Sequence, residues 1–251
     1  MKPQILVSAV TAGSGKTLFT MGLLRALKNR GMKVQPYKCG ADFIDSSYLS
    51  IAADKESVNL DAWMSSPTHT QHIYNRYGEQ ADACITEGTA ALFDGYRRMQ
   101  GSSAEIANIL NLPVILLVNA RMAGYSVAPL LYGYKHFYSG VHIAGVIFNQ
   151  VSSPAHYAHL REACSDTGLD CLGYLPVIEE VKLFPKHNAI SLANRRIIDE
   201  QANIVASQIE KSIDISRMLN RCNRNFPCQY TLPYYSDTED DMHTFPMSKI
   251  K

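Results

Sequence analysis

Along the chain, short apolar runs alternate with longer stretches of helical period. Ile5-Leu6-Val7 is the first run, long enough for one buried strand. Beyond it Phe19, Leu23, Ala26 and Leu27 recur on one face of a helix that Arg30-Gly31 should stop. Further strands are expected at Lys33–Lys38, Ala83–Thr86, Pro113–Val118, Val141–Phe148 and Cys171–Leu175. The unbroken PVILLV run suits a central parallel strand covered on both faces. A helix should start at Ser102 or Ser103 as N-cap, with Ile106, Ala107 and Leu110 inward. Others are expected over Met122–Phe137, which Pro129 interrupts or starts, and over Pro154–Thr167, Asn194–Lys211 and Asp214–Asn220. Between the second and third strands the pattern yields only a turn at Asn59-Leu60-Asp61 and Trp63 as a core or lid anchor. Strands alternating with helices predict an α/β fold with a mostly parallel central sheet flanked by helices. The period fails after Cys222. Asn223–Lys251 carries prolines, tyrosines and the acidic run Asp237–Asp241, so the expected division is a domain at 1–222 and an irregular, linker-like C-terminal tail at 223–251.

The candidate chemistry sits where strands end. Gly13-Ser14-Gly15-Lys16-Thr17 lies between the first strand and the first helix, the order of a phosphate-binding loop, which makes this a P-loop NTPase fold. Glycines let backbone N–H groups turn toward phosphate oxygens, and the helix adds unpaired N–H groups and its positive dipole end. Lys16 would add a mobile charge and Thr17 a hydroxyl for Mg2+. The usual loop has a further glycine near Ala9 or Val10; a positive φ at such a site would cost an alanine roughly 1–2 kcal/mol. In an open parallel sheet the carboxyl ends of strands carry the ligands. Lys38, Asp42 and Asp45 follow the second strand, Glu87 tips the third, and Asp94 lies in the loop Thr89–Gly95. Carboxylates in such places hold magnesium directly or through water.

Composition narrows the setting. With 251 residues, 46% hydrophobic content and a formal charge of +1, a large core is available and neither a nucleic-acid nor an anionic-membrane surface is expected. No apolar run nears the ~20 residues of a membrane span. The start of the chain passes at once into a strand, so no signal peptide is expected and the setting is cytoplasmic. The six cysteines show neither metal-ligand spacing nor the density of a secreted scaffold. None stands in a glycine-flanked nucleophile elbow, and His156, His159 and His187 are expected to show no paired carboxylate at short range.

The phosphate loop, VQPYKCGADFID, NLD at Asn59–Asp61, EGTAALFDG at Glu87–Gly95, GSSAEIA, AGVIFNQV and GYLP together resemble the cobyrinic acid a,c-diamide synthase family. The likeness is to its N-terminal ATP-dependent domain, itself similar to dethiobiotin synthetase, and runs from about Ile5 to about Ala193. The nickel-sirohydrochlorin a,c-diamide synthases share these blocks. The resemblance implies ATP- and Mg2+-dependent conversion of tetrapyrrole carboxylates to acyl phosphates that ammonia then attacks. It places Thr17, Glu87 and Asp42 on the metal, and Lys16, Lys38, Asp42, Asp45 and Asp94 in catalysis or substrate positioning. Gly13, Ser14, Gly15, Lys16, Thr17 and the adenine-reading Asn149 fall on the nucleotide. The implied partners are a cobyrinic acid-like tetrapyrrole and ammonia, either free or from a separate glutaminase subunit, because the 251 residues stop about where the fused glutaminase domain would begin. A homodimer is compatible with the family. Ala9, Ala12, Ala41 and Asn119 depart from its pattern. Two alternatives remain open: a dethiobiotin-synthetase-like ligase acting on a small diamine, and a P-loop ATPase switch or non-catalytic homologue.

Overall fold

A computed structural model describes residues 1–182 and 192–228 of the chain. Its strands are β1 (Lys2–Ala9), β2 (Val34–Cys39), β3 (Val58–Leu60), β4 (Ala83–Glu87), β5 (Val114–Asn119), β6 (Ile143–Val151), β7 (Cys171–Pro176) and β8 (Asn223–Arg224). They form one sheet in the order β3-β2-β4-β1-β5-β6-β7. Every pairing is parallel except that of β8, which runs antiparallel to the first residues of β1. The chain builds one half of the sheet, returns to its centre, then builds the other. β1 therefore sits at the point where the direction of winding reverses, the place where such sheets bind ligands.

The helices are α1 (Lys16–Asn29), α2 (Phe43–Ala53), α3 (Pro67–Gly78), α4 (Ser103–Ile109), α5 (Val127–His136), α6 (Pro154–Thr167), α7 (Leu192–Ser212) and α8 (Ile215–Arg221). Alternation along the strands divides the core in two. Ile5, Val7, Ile115 and Leu117 face Leu23 and Leu27 of α1, Leu49 of α2, Val205 of α7 and Met218 of α8. Leu6, Leu116 and Val118 face the other way, toward Tyr74 of α3, Ile106 of α4, Leu131 of α5 and Leu160 of α6. On the first face α1 and α7 approach closely at Gly22, where a Cβ would stand 2.3 Å from Cγ1 of Val205. Beside that contact the buried Arg25 donates to the carbonyls of Ile51 (3.1 Å) and Ala52 (3.0 Å) and to Oδ1 of Asp199 (2.5 Å). Its charge stands at the carboxyl end of α2, where the helix dipole favours a cation.

The structure departs from the sequence expectation in four places. α2, β3 and α3 occupy the stretch read only as a turn and loop; α2 begins in residues read as ligand-bearing, and its N-cap is Asp42 itself. Trp63 is 45% exposed and packs edge-on against Tyr96 with ring centroids 3.9 Å apart, so it does not anchor the core. α5 starts at Val127, leaving Met122 95% exposed and Pro129 in the first turn, where its missing N–H costs nothing. Packing also continues into the stretch expected to be a tail. Cys222 is fully buried, Nε2 of Gln4 donates to the Asn225 carbonyl (2.9 Å), and Cys228 exchanges hydrogen bonds with Asn75 (2.8 Å from its N–H) and Gln71 (2.6 Å to its carbonyl). Residues 229–251, with the run Asp237–Asp241, and His187 lie outside the described residues. Among the described residues no helix is long and apolar enough to cross a membrane.

Candidate active site

Strand register assembles the site. At the carboxyl ends of the strands Val7 of β1 pairs with Glu87 of β4, Glu87 with Lys38 of β2, and Lys38 with Asn59 of β3. Lys38 and Glu87 are thus neighbours across the sheet. A cavity of about 330 Å³ opens over them, lined by Ala12, Gly13, Gly15, Lys16 and Thr17 of the phosphate loop, by Lys38, Asp42 and Asp45, and by Glu87, Thr89 and Ala90.

The loop needs its glycines. Gly13 and Gly15 have φ of 74° and 90°, and a Cβ on Gly15 would lie 2.3 Å from Nδ2 of Asn149. That amide, at the end of β6, donates to the Ser14 carbonyl at 2.8 Å, while Oγ of Ser14 donates to the Thr11 carbonyl at 2.7 Å. Ala9 lies fully buried in β1, and neither Ala9 nor Val10 has a positive φ, so the strain expected of an alanine there does not arise. No side chain caps α1. The first turn of α1, at Lys16 and Thr17, borders the cavity, and the amino end of a helix suits an anion.

Glu87 is fully buried, and its Oε1 accepts from Oγ1 of Thr17 (2.8 Å) and Nζ of Lys38 (3.0 Å). Lys38 also donates to the Gly88 carbonyl (3.0 Å) and lies 3.5 Å from Oδ2 of Asp45. Burial pushes the Glu87 carboxyl above its ordinary value, against the pull of Lys38 and Thr17. Burial pulls Lys38 down, but the carboxylates of Glu87 and Asp45 outweigh it and the ammonium ends above its usual value. Oε2 of Glu87 is buried with no hydrogen-bond partner in the protein. A buried carboxylate oxygen left unpaired is costly, and next to the Thr17 hydroxyl it forms a hard-oxygen donor set that fits Mg2+. Among the described residues no group of three or more histidines, cysteines or carboxylates converges to hold a metal. An ion at Thr17 and Glu87 would therefore complete its shell with phosphate oxygens and water, as magnesium commonly does.

Lys16, Thr17, Lys38, Asp42, Asp45 and Glu87 are thus brought together around one cavity. Asp42 reaches it as the cap of α2, its Oδ1 accepting from the N–H groups of Ile44 (3.0 Å) and Asp45 (2.9 Å). Asp94 is exposed and is not among the lining residues; Thr89 and Ala90 line the cavity from the same loop. The Ala90 carbonyl accepts from Nζ of Lys16, and Ala90 has a φ of 37°. No side-chain pattern signals a backbone carbonyl, so sequence reasoning had no means of finding this partner. Asn149 is absent from the lining and meets the loop from behind, at Ser14.

A glycine loop at the reversal point of a parallel sheet, with a buried lysine–carboxylate pair at its mouth, defines a P-loop nucleotide-binding protein. Residues 5–192 match the family described as the CobQ/CobB/MinD/ParA nucleotide binding domain, and the chain belongs to that family. It is 36% identical over 242 residues to the cobyrinate a,c-diamide synthase of Dehalococcoides mccartyi, a match covering 92% of this chain and 52% of that protein. To the hydrogenobyrinate a,c-diamide synthase of Brucella ovis it is 39% identical over 211 residues, covering 84% of this chain and 47% of that one. The chain spans about half the length of the curated relatives it matches.

Proposed function

We propose that this chain is the ATP-dependent half of an amidating enzyme, activating side-chain carboxylates of a cobyrinate-like tetrapyrrole for attack by ammonia in cobalamin biosynthesis. The observation that carries the reading is the buried Glu87–Lys38 pair with Thr17 bonded to it, and its spare carboxylate oxygen, in the wall of the phosphate-loop cavity. The names of the relatives supply the substrate class.

A carboxylate is an anion that ammonia does not attack. Transfer of the terminal phosphoryl group of ATP to one carboxylate oxygen gives an acyl phosphate; ammonia then adds at the carbon and phosphate leaves. The protein must bring two anions together, so shielding charge is its first task. Lys16, Lys38 and the uncapped start of α1 perform it. Bound at Thr17 and Glu87, Mg2+ supplies further neutralisation of phosphate charge. Asp42 and Asp45 serve the metal or orient the incoming substrate. Asp94, on its exposed loop, is assigned to substrate positioning, and Asn149 to the adenine side of the loop. The nitrogen donor is ammonia, free or from a glutaminase subunit, and the setting is cytoplasmic.

The test is incubation with ATP, Mg2+, ammonium and cobyrinate, followed by mass analysis of the tetrapyrrole. Amide product together with cobyrinate-stimulated ADP release is expected. Lys16→Ala should lower turnover by 10²–10³, the loss of about 3–4 kcal/mol of transition-state stabilisation from one preorganised donor, with the fold intact. Glutamine should not replace ammonium. Burial pushes Cys39, Cys222 and Cys228 up to about 12 and Cys84 to about 11, while Cys171, drawn down to about 7 by the Cys164 S–H, has Cys164 and Tyr157 as its side-chain partners and not a histidine base. ADP release stimulated by diaminopelargonic acid and not by cobyrinate overturns the reading.

A further inference from the structure

Next to the proposed catalytic groups stands a side chain with no role so far. Asn59 is the middle residue of β3, the short edge strand, and pairs in register with Lys38. The row across the sheet therefore reads Glu87, Lys38, Asn59, and the first two form the buried ion pair. Asn59 uses both halves of its amide on the segment that crosses above that pair. Nδ2 donates to the Gly40 carbonyl at 2.9 Å, at the start of the β2–α2 turn, and Oδ1 accepts from Oγ of Ser46 at 2.8 Å, in the first turn of α2. Ser46 hydroxyl is shared with the Asp42 carbonyl at 2.6 Å. Gly40 has a φ of 80°, and its N–H donates to the Leu60 carbonyl at 2.9 Å.

Between the two anchor points, Gly40 and Ser46, lie both acids of the site. Asp42 turns its side chain onto the N–H groups of Ile44 and Asp45, and Asp45 faces Lys38. A glycine in a left-handed conformation is a place where this turn could otherwise swing. The amide closes it from both ends. We infer that Asn59 is a positioning residue: through Gly40 and Ser46 it fixes the turn that presents Asp42 and Asp45 to the phosphate cavity. It is not among the residues that line the phosphate cavity. Its effect should appear in the rate with both substrates bound and not in nucleotide affinity, because the phosphate loop is held elsewhere, by Asn149 at Ser14.

The inference rests on the amidating function proposed above, and the experiment separates the two. Initial rates of amide formation from cobyrinate, ATP, Mg2+ and ammonium are measured for the wild type, Asn59→Ala, Asn59→Asp, Asp45→Asn, Asp42→Asn and each Asn59→Ala combination. Displacement by about 1 Å of groups that orient reactants costs up to 100-fold, so Asn59→Ala should lower kcat 10- to 100-fold. ADP affinity should stay within about threefold, since no phosphate-loop contact changes. Asn59→Asp keeps the Ser46 bond but opposes a carboxylate to the Gly40 carbonyl, and should not rescue. The decisive reading is the double-mutant cycle. If Asn59 acts by placing the two acids, its removal should cost little more once the acid it places is gone. Multiplicative losses in both combinations, or an Asn59→Ala enzyme with wild-type kcat, overturn the inference while leaving the proposed function standing. Loss of ADP binding in Asn59→Ala and Asn59→Asp alike shows a general structural role and also overturns it. A wild type that makes no amide from cobyrinate removes the proposed function, and the inference with it.

Discussion

Lys38→Met should unsettle the fold itself, and its size can be worked from the site. The substitution removes an ammonium 3.0 Å from Glu87 and 3.5 Å from Asp45, among side chains at most 8% exposed. At an effective permittivity of about 20 those two attractions are worth about 5.5 and 4.7 kcal/mol before any offset. The ammonium no longer has to be desolvated, which returns part of that sum; breaking one partner out of a buried pair typically leaves about 3–5 kcal/mol lost. Unfolding free energy at about pH 8 should fall by that amount, and adding Glu87→Gln should restore much of it by removing the stranded charge. The pH dependence has a definite sign. Burial already holds the Glu87 carboxyl above its ordinary value, and without Lys38 it must rise further. The folded variant then binds a proton that the unfolded chain, with a carboxyl near about 4.3, has given up. Such a group destabilises as pH rises and relents as pH falls, so the deficit should shrink between about pH 8 and about pH 5.5. Urea unfolding at the two pH values reads both effects. A Lys38→Met protein within 1 kcal/mol of wild type at the higher pH, or a deficit that grows on acidification, would refute the reasoning.

Asn149→Ala removes the 2.8 Å bond to the Ser14 carbonyl and opens space beside Gly15; equilibrium titration should show ADP binding weakened by roughly 10-fold, the worth of one buried hydrogen bond. Gly22→Ala would add about 1 kcal/mol to an ordinary helix, but here the new Cβ meets Cγ1 of Val205 at 2.3 Å and Cβ of Val205 and Cδ1 of Ile209 at 2.9 Å, so the melting temperature should fall and Val205→Ala, which removes the shortest contact, should recover part of the loss. Among the thiols, Cys171 is drawn down by the S–H of Cys164 against the opposing effect of burial, whereas the others are pushed up. Iodoacetamide at about pH 8 should label Cys171 first, and peptide maps led by Cys39 or Cys84 would contradict this.

What could be read from residues alone follows physical lines. β1, the phosphate loop and α1 announce themselves because apolar run, glycines, lysine and helical period fall in one fixed order. Lys38 and Glu87 were legible because strand tips of a parallel sheet meet at one edge, whatever the register. α2 was not, because FIDSSYLSIAA carries serines and an aspartate where a helix usually shows a clean apolar stripe, and its cap, Asp42, reads equally well as a ligand. Asp94 drew attention as a carboxylate among glycines, yet the same loop lines the cavity through Thr89 and Ala90, and the latter contributes a carbonyl oxygen, which every residue possesses. Cys228 falls in the expected tail because its burial depends on Gln4, Gln71 and Asn75, all more than a hundred residues earlier. Long-range closure of that kind leaves no local periodicity.

The same closure sets a direction for the molecule. β8 and Cys228 are fastened at Lys2, Pro3 and Gln4, whereas the nucleotide loop leaves the other end of β1 beyond Ala9. At about 3.3 Å per residue, Gln4 and Ala9 are roughly 17 Å apart. The phosphate-loop cavity therefore stands at one end of β1 and Cys228 near the opposite one. The residues of that fastening, Lys2, Pro3, Gln4, Asn223, Arg224 and Cys228, contribute nothing to the lining of the phosphate-loop cavity.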